Sequence, residues 1–171
     1  MPISQPTETD VRLIELVLSM AHAALDEGKA GVGALLAWRE EILTIGHNRY
    51  YETRDRTAHA EMALLRQMAP RIDGMSDDER AELCMYVTLE PCLMCFSAMA
   101  MVGIKRVVYS ALSEDMNAEQ WVARDLTARD LNPILVRGPM TLVPGVRREE
   151  GIRLLARMHK TAGNVAAHAN P

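Results

Sequence analysis

Two short runs restrict this chain more than any other feature: His59–Ala60–Glu61 and Pro91–Cys92–Leu93–Met94–Cys95. Each is expected to open a helix. The Cys-x-x-Cys spacing then sets Cys92 and Cys95 on one face of a first turn. There the helix dipole and free backbone N–H groups favour thiolates, the metal-binding form. Pro91 fits just before such a helix, where its missing donor would go unpaired in any case. One imidazole and two thiolates make a three-ligand zinc site and leave the fourth tetrahedral position for water, which is the catalytic pattern. Two thiolates also offset the charge of Zn2+. Glu61 stands two residues past His59, a step that turns roughly 200° in an ideal helix. In the first turn it still reaches a metal-held water, where a non-ligand carboxylate acts as general acid and base.

Around these runs the sequence alternates strands and helices. Residues 11–26 carry Leu13, Leu16, Val17, Met20 and Ala24 at helical spacing, with Gly28 as a stop. Apolar runs at 32–38 and 42–47, joined by Arg39, Glu40 and Glu41, read as a hairpin. A polar, arginine-rich loop covers 48–56, and a helix starts near Thr57 or Ala58 and runs to Pro70. Residues 71–80 read as a surface excursion. A strand is expected over 83–89, a helix from Pro91 to Val102, a strand over 105–109 and a helix over 117–131. A strand within 134–143 and an amphipathic helix over 146–159 complete the pattern. Alternation in the second half implies parallel pairing and an α/β sandwich.

Composition removes several classes. At 49% hydrophobic and 25% charged the chain is an ordinary globular mixture. No stretch approaches the ~18 consecutive apolar residues of a membrane helix. The polar, acidic first ten residues do not resemble a signal peptide, so a cytoplasmic location is expected. Three cysteines without an export signal argue against a disulfide framework. A net charge of −4 and 4% aromatic residues favour a small substrate over a long nucleic acid.

The pairing of His-x-Glu with Pro-Cys-x-x-Cys is the signature of zinc-dependent nucleobase deaminases. The wider strings, Thr57 to Met62 and Tyr86 to Cys95, resemble the cytidine deaminase superfamily. The branch most similar holds bacterial tRNA adenosine deaminases, guanine deaminases and fungal-type cytosine deaminases. The resemblance covers residues 11–109. It implies a three-layer α/β/α sandwich on a mixed five-stranded sheet, with residues 1–160 as one zinc deaminase domain; residues 161–171, rich in Ala and Asn, read as a flexible tail. It implies His59, Cys92 and Cys95 as zinc ligands and Glu61 as the proton shuttle between the attacking water, a ring nitrogen and departing ammonia. Asn48 would hydrogen-bond the ring. The N–H groups of Ala60 and Cys92, and the carbonyl of Glu90, would line the same pocket. A homodimer with pockets near the interface is also implied, and the apolar Cys helix favours it.

Blander readings stand beside these. His47 or Cys84 as a fourth ligand would make a closed structural zinc site, but would leave Glu61 unexplained. Cys84 alone reads as a small buried apolar residue, and the methionines of the Cys helix as core. Glu90 either braces the Cys helix or touches substrate. Arg49, Arg54 and Arg56 form a solvated loop or read phosphates. Trp121 either closes a pocket over a flat ring or anchors its helix. For the substrate, an aminated free heterocycle is favoured over tRNA. The glycine-rich stretch of the tRNA branch is replaced by an acidic segment from Ser113 to Trp121, and the basic C-terminal helix is interrupted by Glu149 and Glu150. Glu114, Asp115 or Glu119 would then accept hydrogen bonds from ring N–H or amino groups. The rival of another class is a zinc-stabilised binding protein without chemistry.

Overall fold

The computed structural model describes residues 4–117, 122–123 and 125–168, with residues 159–168 described through their backbone alone. Helix α1 (Glu8–Asp26) opens on a capping box in which Thr7 and Asp10 exchange side-chain and backbone hydrogen bonds. Its buried stripe is Leu13, Ile14, Val17, Leu18, Ala21, Ala24 and Leu25, the spacing of a helix lying on a sheet. Strands β1 (Gly33–Trp38) and β2 (Glu41–His47) form the expected hairpin, turning at Arg39, which adopts φ 55°. A short helix α2 (Tyr50–Thr53) interrupts the polar loop, and α3 (Ala60–Asp73) follows with α4 (Asp77–Ala81) behind it. Strand β3 (Leu83–Leu89) leads into α5 (Leu93–Val102), which Gly103 ends at φ 94°, a left-handed conformation that glycine adopts without strain. Then come β4 (Arg106–Ala111), α6 (Ala128–Leu131), β5 (Thr141–Val143) and α7 (Arg148–His168).

The sheet order is β2-β1-β3-β4-β5. The pairs β2–β1 and β1–β3 are antiparallel, whereas β3–β4 and β4–β5 are parallel. A parallel strand between helical layers is buried on both faces, so β3 reads as an unbroken apolar run. Its side chains divide with period two. Leu83, Met85 and Val87 pack with Leu64, Leu65, Phe96 and Met99 of α3 and α5. Cys84 and Tyr86 pack with the α1 stripe and with Leu154 of α7. The result is the expected three-layer α/β/α sandwich on a mixed five-stranded sheet.

One polar network crosses the α1 side of the sheet. Asp10, 1% exposed, accepts two hydrogen bonds of 2.7 Å from Arg106 and one of 3.1 Å from the Tyr86 hydroxyl. Three elements distant in sequence are thereby joined at α1's first turn.

The helix expected over 117–131 does not run unbroken. A 3-10 turn spans Ser113–Asp115, and among the described residues of 117–131 α-helix appears at Ala128–Leu131, capped by Thr127 with Asp130. Asp125, at φ 56°, cannot sit within a right-handed helix. Strand β5 lies within the expected 134–143, after a 3-10 turn over Asn132–Ile134 that carries a proline. Helix α7 begins at Arg148 and continues beyond the expected end at 159.

Candidate metal centre and active site

The reactive side chains meet at the carboxyl ends of β3 and β4, the edge at which ligands bind in open α/β sheets. Cys92 follows β3 as the N-cap of α5, and Cys95 stands in that helix's first turn. His59 is the N-cap of α3, with φ −58° and ψ 157°. Extended backbone at His59 answers the angular objection raised by a two-residue step. His59 lies outside the helix while Glu61 lies inside it, so both side chains reach one point.

The donor atoms of His59, Cys92 and Cys95 all lie within 4.8 Å of one another. His59 Nδ1 is 3.5 Å from both Cys92 Sγ and Cys95 Sγ. Zn–S bonds of ~2.3 Å and Zn–N bonds of ~2.0–2.1 Å at a tetrahedral angle separate nitrogen from sulfur by roughly 3.5 Å. The spacing therefore fits a zinc ion. Cys84 cannot serve as a fourth ligand. It is buried on the α1 side of the sheet, 3.4 Å from Arg106. His47 Nδ1 lies 2.8 Å from its neighbour's carbonyl, and its Nε2 faces Glu52 at 3.6 Å. Among the described residues no other group of His, Cys, Asp and Glu could hold a metal.

Electrostatics at the centre suit a cation. The Cys95 thiol and then the His59 imidazole outweigh burial and lower the Cys92 thiol to about 4, which makes it a thiolate. The partner thiol of Cys95 is raised, first by Cys92 and then by burial. His59 is raised by its bond to Cys92. Burial raises Glu61, which is 3% exposed. The centre is thus a nest of three donors, one of them a thiolate, with a buried carboxyl beside it.

A cavity of ≈ 220 Å³ opens onto the centre. Asn48, His59, Glu61, Glu90 and Cys92 line it, together with the apolar Val32, Leu89, Met116, Leu155 and Met158. Asn48 is fixed by two bonds: its N–H donates to Val32 O at 2.8 Å, and its Oδ1 accepts the Tyr50 N–H at 2.9 Å. That second bond turns its Nδ2 into the donor available to a ring. Ala60 occupies the first position of α3, where backbone N–H groups lack helical partners.

Glu90 contributes to the wall, but its side chain is fully buried. One carboxylate oxygen accepts the Ser113 N–H at 3.0 Å, and the other lies 3.5 Å from Arg129 Nε. Bracing, rather than contact through the carboxylate, is the role this placement supports.

Glu114 and Asp115 do not line the cavity, and the expectation that their carboxylates receive a ring is corrected. Arg148 takes both, with contacts of 2.7 Å to Glu114 and of 2.7 and 2.9 Å to Asp115. Charge neutralisation across 33 and 34 residues, invisible in the local sequence, decides this. Glu119 and Trp121 lie outside the described residues. Val32, Leu89, Met116, Leu155 and Met158 are wall residues that the sequence reading missed. One signal for the last two was present: a glycine, Gly151, inside an otherwise amphipathic helix marks a close approach.

Residues 7–111 match the profile of the cytidine and deoxycytidylate deaminase zinc-binding region. The tRNA-specific adenosine deaminase of Aquifex aeolicus is 36% identical over 102 residues, which is 59% of this chain and 65% of that protein. The tRNA-specific adenosine deaminase 2 of Danio rerio is 35% identical over 115 residues, 64% of this chain and 53% of its own. The matched stretch thus spans less than two thirds of either relative. Among solved structures, guanine deaminase from Nitrosomonas europaea superposes with a TM-score of 0.73 at 22% identity, covering 92% of this chain and 87% of that one. A tRNA deaminase that edits adenosine to inosine at the wobble position superposes with a TM-score of 0.67 at 27% identity, covering 84% and 99%.

Proposed function

Because the chain belongs to the family of the cytidine and deoxycytidylate deaminase zinc-binding region, we propose that it is a hydrolytic deaminase. In this reading it converts an aminated free nucleobase or related heterocycle, of guanine or cytosine type, to the oxo form with release of ammonia. The observation that carries the reading is the pairing of the His59–Cys92–Cys95 nest with buried Glu61 in one small cavity.

His59, Cys92 and Cys95 would hold Zn2+, which when bound supplies Lewis-acid activation of water near neutral pH. The remaining work belongs to the chain. Glu61 accepts a proton from the attacking water and delivers it to the ring nitrogen beside the amino-bearing carbon; it then takes the remaining proton of the added hydroxyl and passes it to the departing nitrogen as the C–N bond breaks. The balance is one water consumed and one ammonia released. Asn48 Nδ2 donates to a ring acceptor and fixes the edge presented to Glu61. The N–H groups of Ala60 and Cys92 stand ready for developing negative charge. Val32, Leu89 and Met116 supply apolar contact for a flat ring.

We take residues 1–160 as the catalytic unit, acting in the cytoplasm, and 161–171 as a tail outside it. We also propose a homodimer: α5 is apolar nearly all round, yet Met101 is 72% exposed. Among the described residues no helix is long and apolar enough to cross a membrane.

The second reading, an adenosine deaminase acting on tRNA, is favoured by the identity to the Aquifex and Danio proteins. Ammonia release from guanine, cytosine, adenine, their nucleosides, aminated pterins and triazines, and an unmodified tRNA separates the two. Turnover of a free ring with tRNA untouched is the expected result. Activity on tRNA alone would replace the first reading with the second.

A further inference from the structure

We infer that α7 is the specificity wall of the site, held against it so that the pocket takes a bare heterocycle and refuses the same ring carrying a ribose. This rests on the deaminase reading above and goes beyond it by naming what sets the substrate's size. Three independent observations place α7. Arg148, at its first residue, clamps Glu114 and Asp115 at 2.7–2.9 Å, and Asp115 precedes the wall residue Met116. One turn on, Gly151 lies so close to the end of β4 that a Cβ there would sit 2.6 Å from Ser110 Oγ and 2.8 Å from the Ala111 backbone nitrogen. A helix-interior glycine is unfavourable relative to alanine unless close packing requires it. Leu155 and Met158 then continue the same helix face into the cavity.

Two hydrogen bonds to β4 seat the same end of the helix. Val146 N–H donates to Tyr109 O at 3.1 Å, and Ser110 Oγ donates to Arg147 O at 3.0 Å. The wall is therefore anchored to β4, the neighbour of β3, whose last residue Leu89 lines the cavity. The enclosed space is ≈ 220 Å³, part of which the metal and the attacking water must occupy. Pockets that take drug-sized ligands run to about 300–1,000 Å³. One ring system suits a space of this size, and Leu155 and Met158 are the side chains that α7 sets against anything attached to it.

The test measures binding and ammonia release together on zinc-loaded protein. The ligands are guanine, cytosine and adenine, each against its nucleoside, and the proteins are wild type, Met158→Ala and Gly151→Ala. Met158→Ala shortens the wall without disturbing the helix. Gly151→Ala pushes the helix outward and raises KM for the base more than it changes kcat. Wild type is expected to bind a free ring about a hundredfold more tightly than its nucleoside, the scale at which pocket contacts discriminate. Either variant should cut that preference by about tenfold. An unchanged preference in Met158→Ala, equal binding of base and nucleoside by wild type, or no binding of any of the six overturns the inference. A ring bound selectively without ammonia release leaves the wall intact and refutes the deaminase reading instead.

Discussion

Replacing Glu61 with glutamine is expected to lower kcat for ammonia release by about three orders of magnitude, within the range of general acid–base catalysis. Zinc content and thermal midpoint should stay near those of wild type. The argument is positional. Glu61 is 3% exposed, shares the cavity with all the polar groups a ring would meet, and is not among the three metal donors. Glutamine keeps its shape and its capacity to accept hydrogen bonds, but cannot take up a proton. A purely structural role would show itself as lost metal or a lowered midpoint, and the metal-content and melting measurements read that directly. Alanine at the same position would serve less well, because it also opens space beside the donors.

The second large effect lies far from the chemistry. Asp10→Ala should destabilise the protein by about 3 kcal/mol, since it removes charge-assisted hydrogen bonds to Arg106 and leaves the buried Tyr86 hydroxyl without its acceptor. For a chain of this length that lowers the thermal midpoint by about 10 °C. Asp10 joins α1 to β3 and β4 through Tyr86 and Arg106, and it closes the capping box with Thr7. Burial alone would raise its carboxyl. The Arg106 and Thr7 hydrogen bonds outweigh burial and hold it at about 2, against an ordinary 3.8. A depressed folded-state value contributes stability that is fully present above pH ~4 and disappears as pH falls through about 2. The contribution at neutral pH is about 2 kcal/mol. Urea unfolding at pH 7, 4 and 2.5 should therefore show wild type losing its advantage over Asp10→Asn at the acid end. Parallel stability curves for the two proteins would refute this account of Asp10.

Local chemistry made the centre of the site legible in the sequence. His59, Glu61, Cys92 and Cys95 belong to runs short enough that helix-start geometry fixes their mutual placement, and the structure brings their donor atoms to zinc-like spacing. The hairpin was readable for the same reason, since register and turn are decided within a few residues. The parallel half followed from alternation, and β3 announced itself as a run buried on both faces. The outer wall was not legible, because it depends on pairings between distant segments. The acidic run at Glu114 and Asp115 looks like a substrate contact until Arg148 is found folded onto it. Glu90 looks equally suited to bracing and to binding until its buried contacts with Ser113 and Arg129 are seen. The expected helix over 117–131 is interrupted at Asp125, whose left-handed backbone has no strong local signal in an aspartate.

Zinc titration into chelator-stripped protein, with ammonia release read against the ring panel at each step, tests the central claim most directly. Activity should rise in proportion to bound metal and level off at about one zinc per chain, the capacity of a single three-donor centre. Cys95→Ser should neither retain that metal nor gain activity on titration. Full zinc loading with no ammonia from any ring, nucleoside or tRNA, or turnover that persists unchanged after the metal is stripped, would contradict the assignment of this centre to hydrolytic deamination.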